Sequence, residues 1–388
     1  MEILFITHKY PPSIGGMEKQ SYELTQRMQQ HTGCHLLHWK ASESKFRFFW
    51  TLKKRIRKQL RQHPGITLLH FNDGLAAAFC SGKNDFPGYV RTVTLHGLDV
   101  VFPNSIFQRY ILPRFNRFQS IIAVSRATAD ACIQRGMHAD KIVVIPNGVD
   151  HNIATFEPDE QAKRVFEEKY RPLLSGKKNL LLLGRPVLRK GFSWFIQSVL
   201  PLLPANYQVV IIGPYRTNHS LSDLLLHCLP SPIQKQVSLL FGMPTDENNL
   251  RQLLKSPGIR ERVLHLGKLP FTDILQIMTA CTAFMMPNIP VAGDMEGFGL
   301  VALEANLRTL PVFAAHLEGI TAAIQDQKNG CLVPAQSVSD WLKALSILEK
   351  DPTWGHNFGC QAKQYTLDNF SWEKMTSAYF THFTKLRV

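Results

Sequence analysis

Residues 2–18 read Glu2-Ile3-Leu4-Phe5-Ile6-Thr7-His8-Lys9-Tyr10-Pro11-Pro12-Ser13-Ile14-Gly15-Gly16-Met17-Glu18. Four large apolar residues in a row, Ile3–Ile6, predict a buried strand. A helical pattern, Met17–Gln30, follows the glycine pair. A buried strand feeding a helix through a glycine-bearing loop is the repeating unit of a parallel sheet covered on both faces.

The same unit recurs along the chain. Strands are predicted at His35–His38, Ile66–Phe71, Val90–Leu95, Ile121–Val124 and Ile142–Ile145, with helical stretches such as Phe107–Arg117 and Ala127–Arg135 between them. The turn signature Pro146-Asn147-Gly148-Val149-Asp150 closes this half. A more polar stretch, 151–177, reads as a linker with one helix. A second alternating run then passes through Leu180–Leu183, Val209–Ile212, Val263–Leu266, Ala283–Met286, Pro311–Ala314 and Cys331–Val333. The expected fold is α/β, with two doubly wound Rossmann-like domains facing a cleft. Their boundaries are 1–150 and 178–368, and residues 369–388 form a closing amphipathic helix with Met375, Tyr379, Phe383 and Leu386 at helical spacing. The connection 214–262 is long and proline-interrupted, and reads as an insertion.

The 388 residues, 45% hydrophobic and 19% charged, fit two soluble globular domains. No apolar run approaches the ~18–20 residues that span a bilayer. Because the first residues already form a strand, no signal peptide is read and the chain is expected to be cytoplasmic. Seven scattered cysteines, odd in number and without a C-x-x-C pair, argue against a disulfide or zinc framework. A net charge of +14 implies an anionic partner. Much of it is concentrated in residues 45–61, where eight lysines and arginines alternate with Phe46, Phe48, Phe49, Trp50, Leu52, Ile56 and Leu60 and no acid intervenes. Two readings stand for this segment: an element lying on an anionic membrane surface, or a solvated helix with its aromatics tucked into the fold. Nucleic acid is not expected as a partner, since no recognition motif accompanies the charge.

In doubly wound sheets, ligands bind beyond the carboxyl ends of the strands. Five post-strand loops there suit an anionic, hydroxylated ligand. The first carries Gly15 and Gly16 at a helix start, where backbone N–H groups reach a phosphate. The second is Leu95-His96-Gly97, with His96 at a strand end, although a lone histidine is more often structural. The third, Gly184–Gly191, offers Arg185 and Lys190 as a diphosphate clamp. The fourth, Gly267-Lys268-Leu269, presents backbone groups to a nucleobase edge. The fifth is Glu296-Gly297-Phe298-Gly299-Leu300-Val301-Ala302-Leu303-Glu304. Its glycines precede good helix formers, placing a phosphate site at a helix N-terminus, with Glu304 within reach of sugar hydroxyls. With no Asp-x-Asp pair, the expected chemistry needs no metal and no cofactor beyond a nucleotide-sugar co-substrate.

Taken in order, these segments resemble the GT-B glycosyltransferases, specifically the retaining family 4 group. The residues that carry the resemblance are Tyr10–Glu18, Val124-Ser125, Ile145–Asp150, Gly184-Arg185 with Arg189-Lys190-Gly191, Glu296 and Glu304 in an E-x(7)-E spacing, Gly330–Pro334 and Phe370–Glu373. The resemblance implies a nucleotide-sugar donor on the carboxy-terminal domain and a carbohydrate or lipid-linked acceptor on the amino-terminal one. It implies that Arg185 and Lys190 hold the diphosphate with N–H groups of Gly16 and Phe298, Gly299, Leu300 and Val301. Glu304 would meet the ribose, Glu296 the donor sugar, and His96 would lie beside the transferred sugar. The last helix would pack back on the amino-terminal domain. The sequence departs from the family pattern at His316–Ile320, at Asn288–Met295 and in the 214–262 expansion. The expected function is therefore retaining sugar transfer in lipopolysaccharide, surface polysaccharide or glycolipid synthesis at the inner membrane face. A nucleotide-sugar epimerase of the same fold and a non-catalytic carbohydrate-binding scaffold are the rivals.

Overall fold

The structure, a computed structural model, describes residues 1–13, 15–215 and 245–386. The opening stretch forms strand β1 (Glu2–Thr7), and the glycine pair starts helix α1 (Gly16–Met28). Strands β2 (Gly33–His38), β3 (Ile66–Phe71), β4 (Val90–Leu95), β5 (Ser120–Ala123) and β6 (Ile142–Val144) complete a six-stranded parallel sheet in the order β2-β1-β3-β4-β5-β6.

Side chains alternate across a strand, and β1 sorts its own into two cores. Leu4 and Ile6 face one core with Phe48, Leu52, Ile56 and Leu60, a four-residue-spaced stripe of helix α2 (Lys45–Gln62). Ile3 and Phe5 face the other with Leu24 and Met28 of α1 and with Trp372, Met375, Tyr379 and Phe383 of the last helix, Trp372–Lys385. Each such side chain, fully buried, stabilises by about 1.5–3 kcal/mol, so this interior strand organises the layer on either side. Helix α3 (Gly74–Phe79) follows β3, with Asp73 accepting from the N–H of Ala76 as its cap.

The second sheet contains β7 (Lys178–Leu183), β8 (Tyr207–Ile212), β9 (Val263–Gly267), β10 (Ala283–Met286), β11 (Val312–Ala315) and β12 (Cys331–Val333). It is also parallel, in the order β12-β11-β10-β7-β8-β9. The order in which strands are added changes side between β1 and β3 in the first sheet and between β7 and β10 in the second. At such switch points neighbouring loops part to either side and leave a crevice at the strand ends.

The chain divides into two compact units. One comprises Met1–Val149 with Met295–Leu300 and Phe370–Val388; the other comprises Asp150–Asp294 with Val301–Asn369. The stretch read as a linker with one helix carries that helix from Glu160 to Leu174, after a 3₁₀ turn at His151–Thr155, and groups with the second unit. Phe166, Tyr170 and Leu174 recur at four-residue spacing and are buried, which explains the continuous helix. The stretch 107–117 is a π-helical turn followed by a 3₁₀ turn, not a regular helix; Pro113, near the start of the 3₁₀ segment, lacks the N–H that an α-helix would use there. Most of the expected 214–262 insertion, residues 216–244, lies outside the described residues. Among those described, no helix is long and apolar enough to cross a membrane.

Candidate functional site

At the switch point of the second sheet, the chain leaves β7 as Gly184-Arg185, makes a 3₁₀ turn at Leu188–Lys190 and enters the helix Phe192–Ser198. Gly191 takes a left-handed conformation, φ 65°, and a methyl group there would stand 2.0 Å from the carbonyl oxygen of Pro287. Only glycine lets this loop press against the exit of β10. The N–H of Ile289 donates to Arg189 O at 2.9 Å, and Arg189 Nε lies 3.3 Å from Asp294 Oδ1. One cation of the loop is thereby committed to a protein carboxylate.

Arg185 is exposed and has no ion-pair partner among the described residues. Lys190 folds back over the start of the same loop: a methyl on Gly184 would stand 3.0 Å from Lys190 Cε and 3.5 Å from Nζ. Lys190 thus lies against the residue that precedes Arg185. The next two strand ends lie alongside. Gly184 N donates to Ile212 O and Gly213 N to Gly267 O, both at 2.8 Å. Lys268, exposed, and Leu269, half-buried, follow directly.

The acidic nonapeptide divides between the units. Its amino-terminal half belongs to the first, where Met295 is buried in the core with Leu95 and Val100. A methyl on Gly297 would stand 1.9 Å from His96 O, so the nonapeptide backbone runs directly over the end of β4. Phe298 is buried and meets Phe370 edge-on at 6.2 Å. Leu300 begins the helix Leu300–Leu307 and approaches Gly16: a methyl on Gly16 would stand 3.5 Å from Leu300 Cδ1. His96, Gly16, Glu296, Phe298, Gly299 and Leu300 are therefore neighbours in the first unit. Val301 and Glu304 belong to the second, and Glu304 is buried.

His96 is held by main-chain and carboxylate contacts. Its N–H donates to Asp99 Oδ1 at 2.8 Å, and its Nε2 lies 3.0 Å from Asn72 O. Asp99 also accepts from Gly74 N, and burial pushes its carboxyl above the usual range against the opposing pull of His96. Asn72 is fixed in turn, its amide donating to Gln20 Oε1 at 2.6 Å and Ser21 Oγ at 2.7 Å. His70 Nε2 lies 3.1 Å from Asn72 Oδ1, and burial pushes the His70 imidazole down to about 3.

No motif in the sequence marks these supports, nor a pair at the first sheet's own switch point. There His8 Nδ1 lies 2.8 Å from Asp73 Oδ1, which also binds the N–H of Ala76. Burial pushes the Asp73 carboxyl up, but the His8 ring and the backbone donors hold it well below the usual range. The polar residues directly after β1 and β3 were the available signal.

Comparison with known proteins follows the same segments. The family model described as glycosyl transferases group 1 matches residues 166–365, and that described as Glycosyltransferase Family 4 matches 36–153. A GDP-mannose-dependent alpha-(1-6)-phosphatidylinositol monomannoside mannosyltransferase of Mycolicibacterium smegmatis is 24% identical, covering 95% of both chains. A D-inositol 3-phosphate glycosyltransferase of Paenarthrobacter aurescens is 27% identical over 66% of this chain and 54% of its own. Among solved structures, Anabaena HepE in complex with UDP superposes with a TM-score of 0.73 at 19% identity, covering 99% of this chain and 100% of HepE. Sucrose-phosphate synthase of Thermosynechococcus elongatus gives 0.73 at 19%, over 99% and 98%.

Proposed function

The chain belongs to the glycosyl transferases group 1 family and is a glycosyltransferase of the GT-B fold; on that premise, we propose that it moves a sugar from a nucleoside-diphosphate sugar to an acceptor hydroxyl, with the anomeric configuration retained. The observation that carries this reading is the switch-point loop after β7, where Arg185 is exposed and Lys190 folds back against Gly184. A guanidinium fork and an ammonium on a loop pinned by Gly191 are preorganised for a diphosphate, whose negative charge grows as it leaves. The relatives and structural neighbours whose names include GDP-mannose and UDP support a nucleotide donor.

In the proposed reaction, the bond between the sugar's anomeric carbon and the diphosphate oxygen breaks as the acceptor oxygen bonds to that carbon from the same face. The acceptor's proton passes to the departing phosphate. Arg185, Lys190 and the first-turn N–H groups of the helix Leu300–Leu307 stabilise the leaving group. Glu304 accepts from the ribose, Glu296 from the donor sugar, and the backbone at Lys268 and Leu269 meets the base. His96 lies beside the transferred sugar. The charge on the diphosphate is met by fixed cations, and the proposed chemistry requires no divalent ion.

The acceptor we propose is a lipid-linked saccharide or glycolipid at the inner membrane face. Support comes from α2, where the outward stripe begins with Phe46 and Trp50, 75% and 78% exposed, and continues with Lys54 and Lys58. Phe48 turns inward, so the segment divides its aromatics between core and solvent.

The test offers UDP-glucose and GDP-mannose with and without phosphatidylinositol mannosides and lipid-linked saccharides, in the presence of EDTA. Nucleoside diphosphate should appear only with an acceptor, and the product should keep the donor's anomeric configuration. Sugar epimerisation without an acceptor, an inverted product, or loss of turnover on chelation would each overturn the corresponding part of this reading.

A further inference from the structure

The loop carrying Arg185 and Lys190 is clamped at both ends by a short segment more than fifty residues away. Asp246, fully buried, accepts at Oδ2 from Ser193 N at 2.8 Å and at Oδ1 from Ser193 Oγ at 2.5 Å. Ser193 is the second residue of the helix Phe192–Ser198, which follows Lys190 and Gly191. The Asp246 main chain meanwhile donates to Pro186 O at 2.8 Å. Thr245 Oγ1 donates to the same carbonyl at 3.2 Å, and Thr245 bridges Val187 in antiparallel fashion. Asn249 Nδ2 donates to Asp246 Oδ1 at 3.0 Å and steadies the carboxylate from behind. The single residue Asp246 thus touches the loop just after Arg185 through its backbone and just after Lys190 through its side chain.

We propose that Asp246 is a positioning residue for the donor diphosphate: it fixes the spacing between Arg185 and Lys190 and occupies the N-terminus of the helix Phe192–Ser198. The inference rests on the diphosphate reading of those two cations. The N–H groups at a helix start attract anions, and a strand–loop–helix at a switch point would ordinarily offer them to phosphate. Here a protein carboxylate already takes the Ser193 N–H. Phosphate is directed instead to the two side chains, whose separation matters because fork and point charge must engage one pyrophosphate together. Burial raises the Asp246 carboxyl above its usual range, and the bonds from Ser193 and Asn249 oppose that rise.

The experiment is calorimetric titration of UDP and GDP, with UMP and GMP as references, into wild type, Asp246→Ala, Asp246→Asn, Arg185→Ala and the double variant Arg185→Ala/Asp246→Ala. Loss of charge-assisted anchoring should weaken diphosphate binding by about tenfold or more, with much less effect on the monophosphate. The Asp246→Asn variant keeps one side-chain acceptor and should rescue part of the loss. Since Asp246 acts through the loop, the double variant should bind no worse than Arg185→Ala alone. Equal losses for mono- and diphosphate would reduce Asp246 to a structural role, and multiplying losses would make it independent of Arg185. Tighter diphosphate binding in Asp246→Ala would show that the carboxylate competes with phosphate. Each of these overturns the proposal. If Arg185→Ala itself leaves diphosphate affinity unchanged, the functional reading beneath it fails; if Arg185→Ala weakens binding and Asp246→Ala does not, only this inference does.

Discussion

His96 Nε2 lies 3.0 Å from the carbonyl oxygen of Asn72. A carbonyl oxygen only accepts, so Nε2 carries a hydrogen, and in the neutral ring the lone pair is on Nδ1. The ring is fixed by the backbone of the neighbouring strand end, and the Gly297 backbone passes against its carbonyl. His96→Ala should lower turnover by about 10²–10³ while leaving UDP or GDP affinity within about threefold, because the group acts on the transferred sugar and not on the leaving group. Steady-state turnover beside calorimetric binding separates the two effects. Unchanged turnover would remove His96 from the reaction.

Gly297 has no room for a side chain. The methyl of Gly297→Ala would meet His96 O at 1.9 Å, a backbone atom that cannot swing away. The nonapeptide must shift, at a cost of about 1–3 kcal/mol. We expect a melting temperature several degrees lower and transfer reduced by about 10²-fold, since Glu296 and Leu300 move with the backbone. Wild-type melting and activity would contradict this packing.

Acid should unfold the first unit through His70. Burial lowers its imidazole from the ordinary 6.5 to about 3. Between those values the unfolded chain binds a proton that the folded chain refuses, so stability rises with pH there. The contribution is complete above about pH 6.5 and shrinks by about 1.4 kcal/mol per unit as pH falls towards 3. Urea melts at several pH values should therefore show a steeper acid loss for wild type than for His70→Gln, by about one proton. Parallel curves would mean that His70 titrates normally.

Residues 45–61 should bind anionic vesicles. Phe46 and Trp50 face solvent at one end of α2, with Lys54 and Lys58 along the same stripe. Cosedimentation with phosphatidylglycerol vesicles should be strong at low salt, fall as salt rises, and be lost in Phe46→Ser/Trp50→Ser. Wild-type protein remaining in the supernatant at low salt would end the membrane assignment.

Both sheets were legible from runs such as Ile3–Ile6 and Leu180–Leu183, because strands buried on two faces need continuous apolar residues. Those runs locate the strand ends, and hence Arg185, Lys190 and His96, on the edge where doubly wound sheets bind ligands. Their supports were not legible. Asp246 meets Ser193 across 53 residues, and Asp73 meets His8 across 65; no spacing rule connects such pairs. Composition could not tell Arg189, engaged by Asp294, from Arg185, nor Phe48 pointing inward from Trp50 pointing outward. The Asn72 contact to His96 runs through a main-chain carbonyl, which any residue supplies.

Arg185 and Lys190 are proposed to grip the diphosphate of a nucleotide donor. Titrating UDP and GDP into wild type and into Arg185→Ala/Lys190→Ala, with unfolding followed in parallel, tests it directly. Wild type should bind at least one nucleotide and gain about 2.7 kcal/mol of stability at one hundred times the dissociation constant. The double variant should fold normally and lose that gain. Full affinity and full stabilisation in the double variant would mean that the diphosphate is held by other groups.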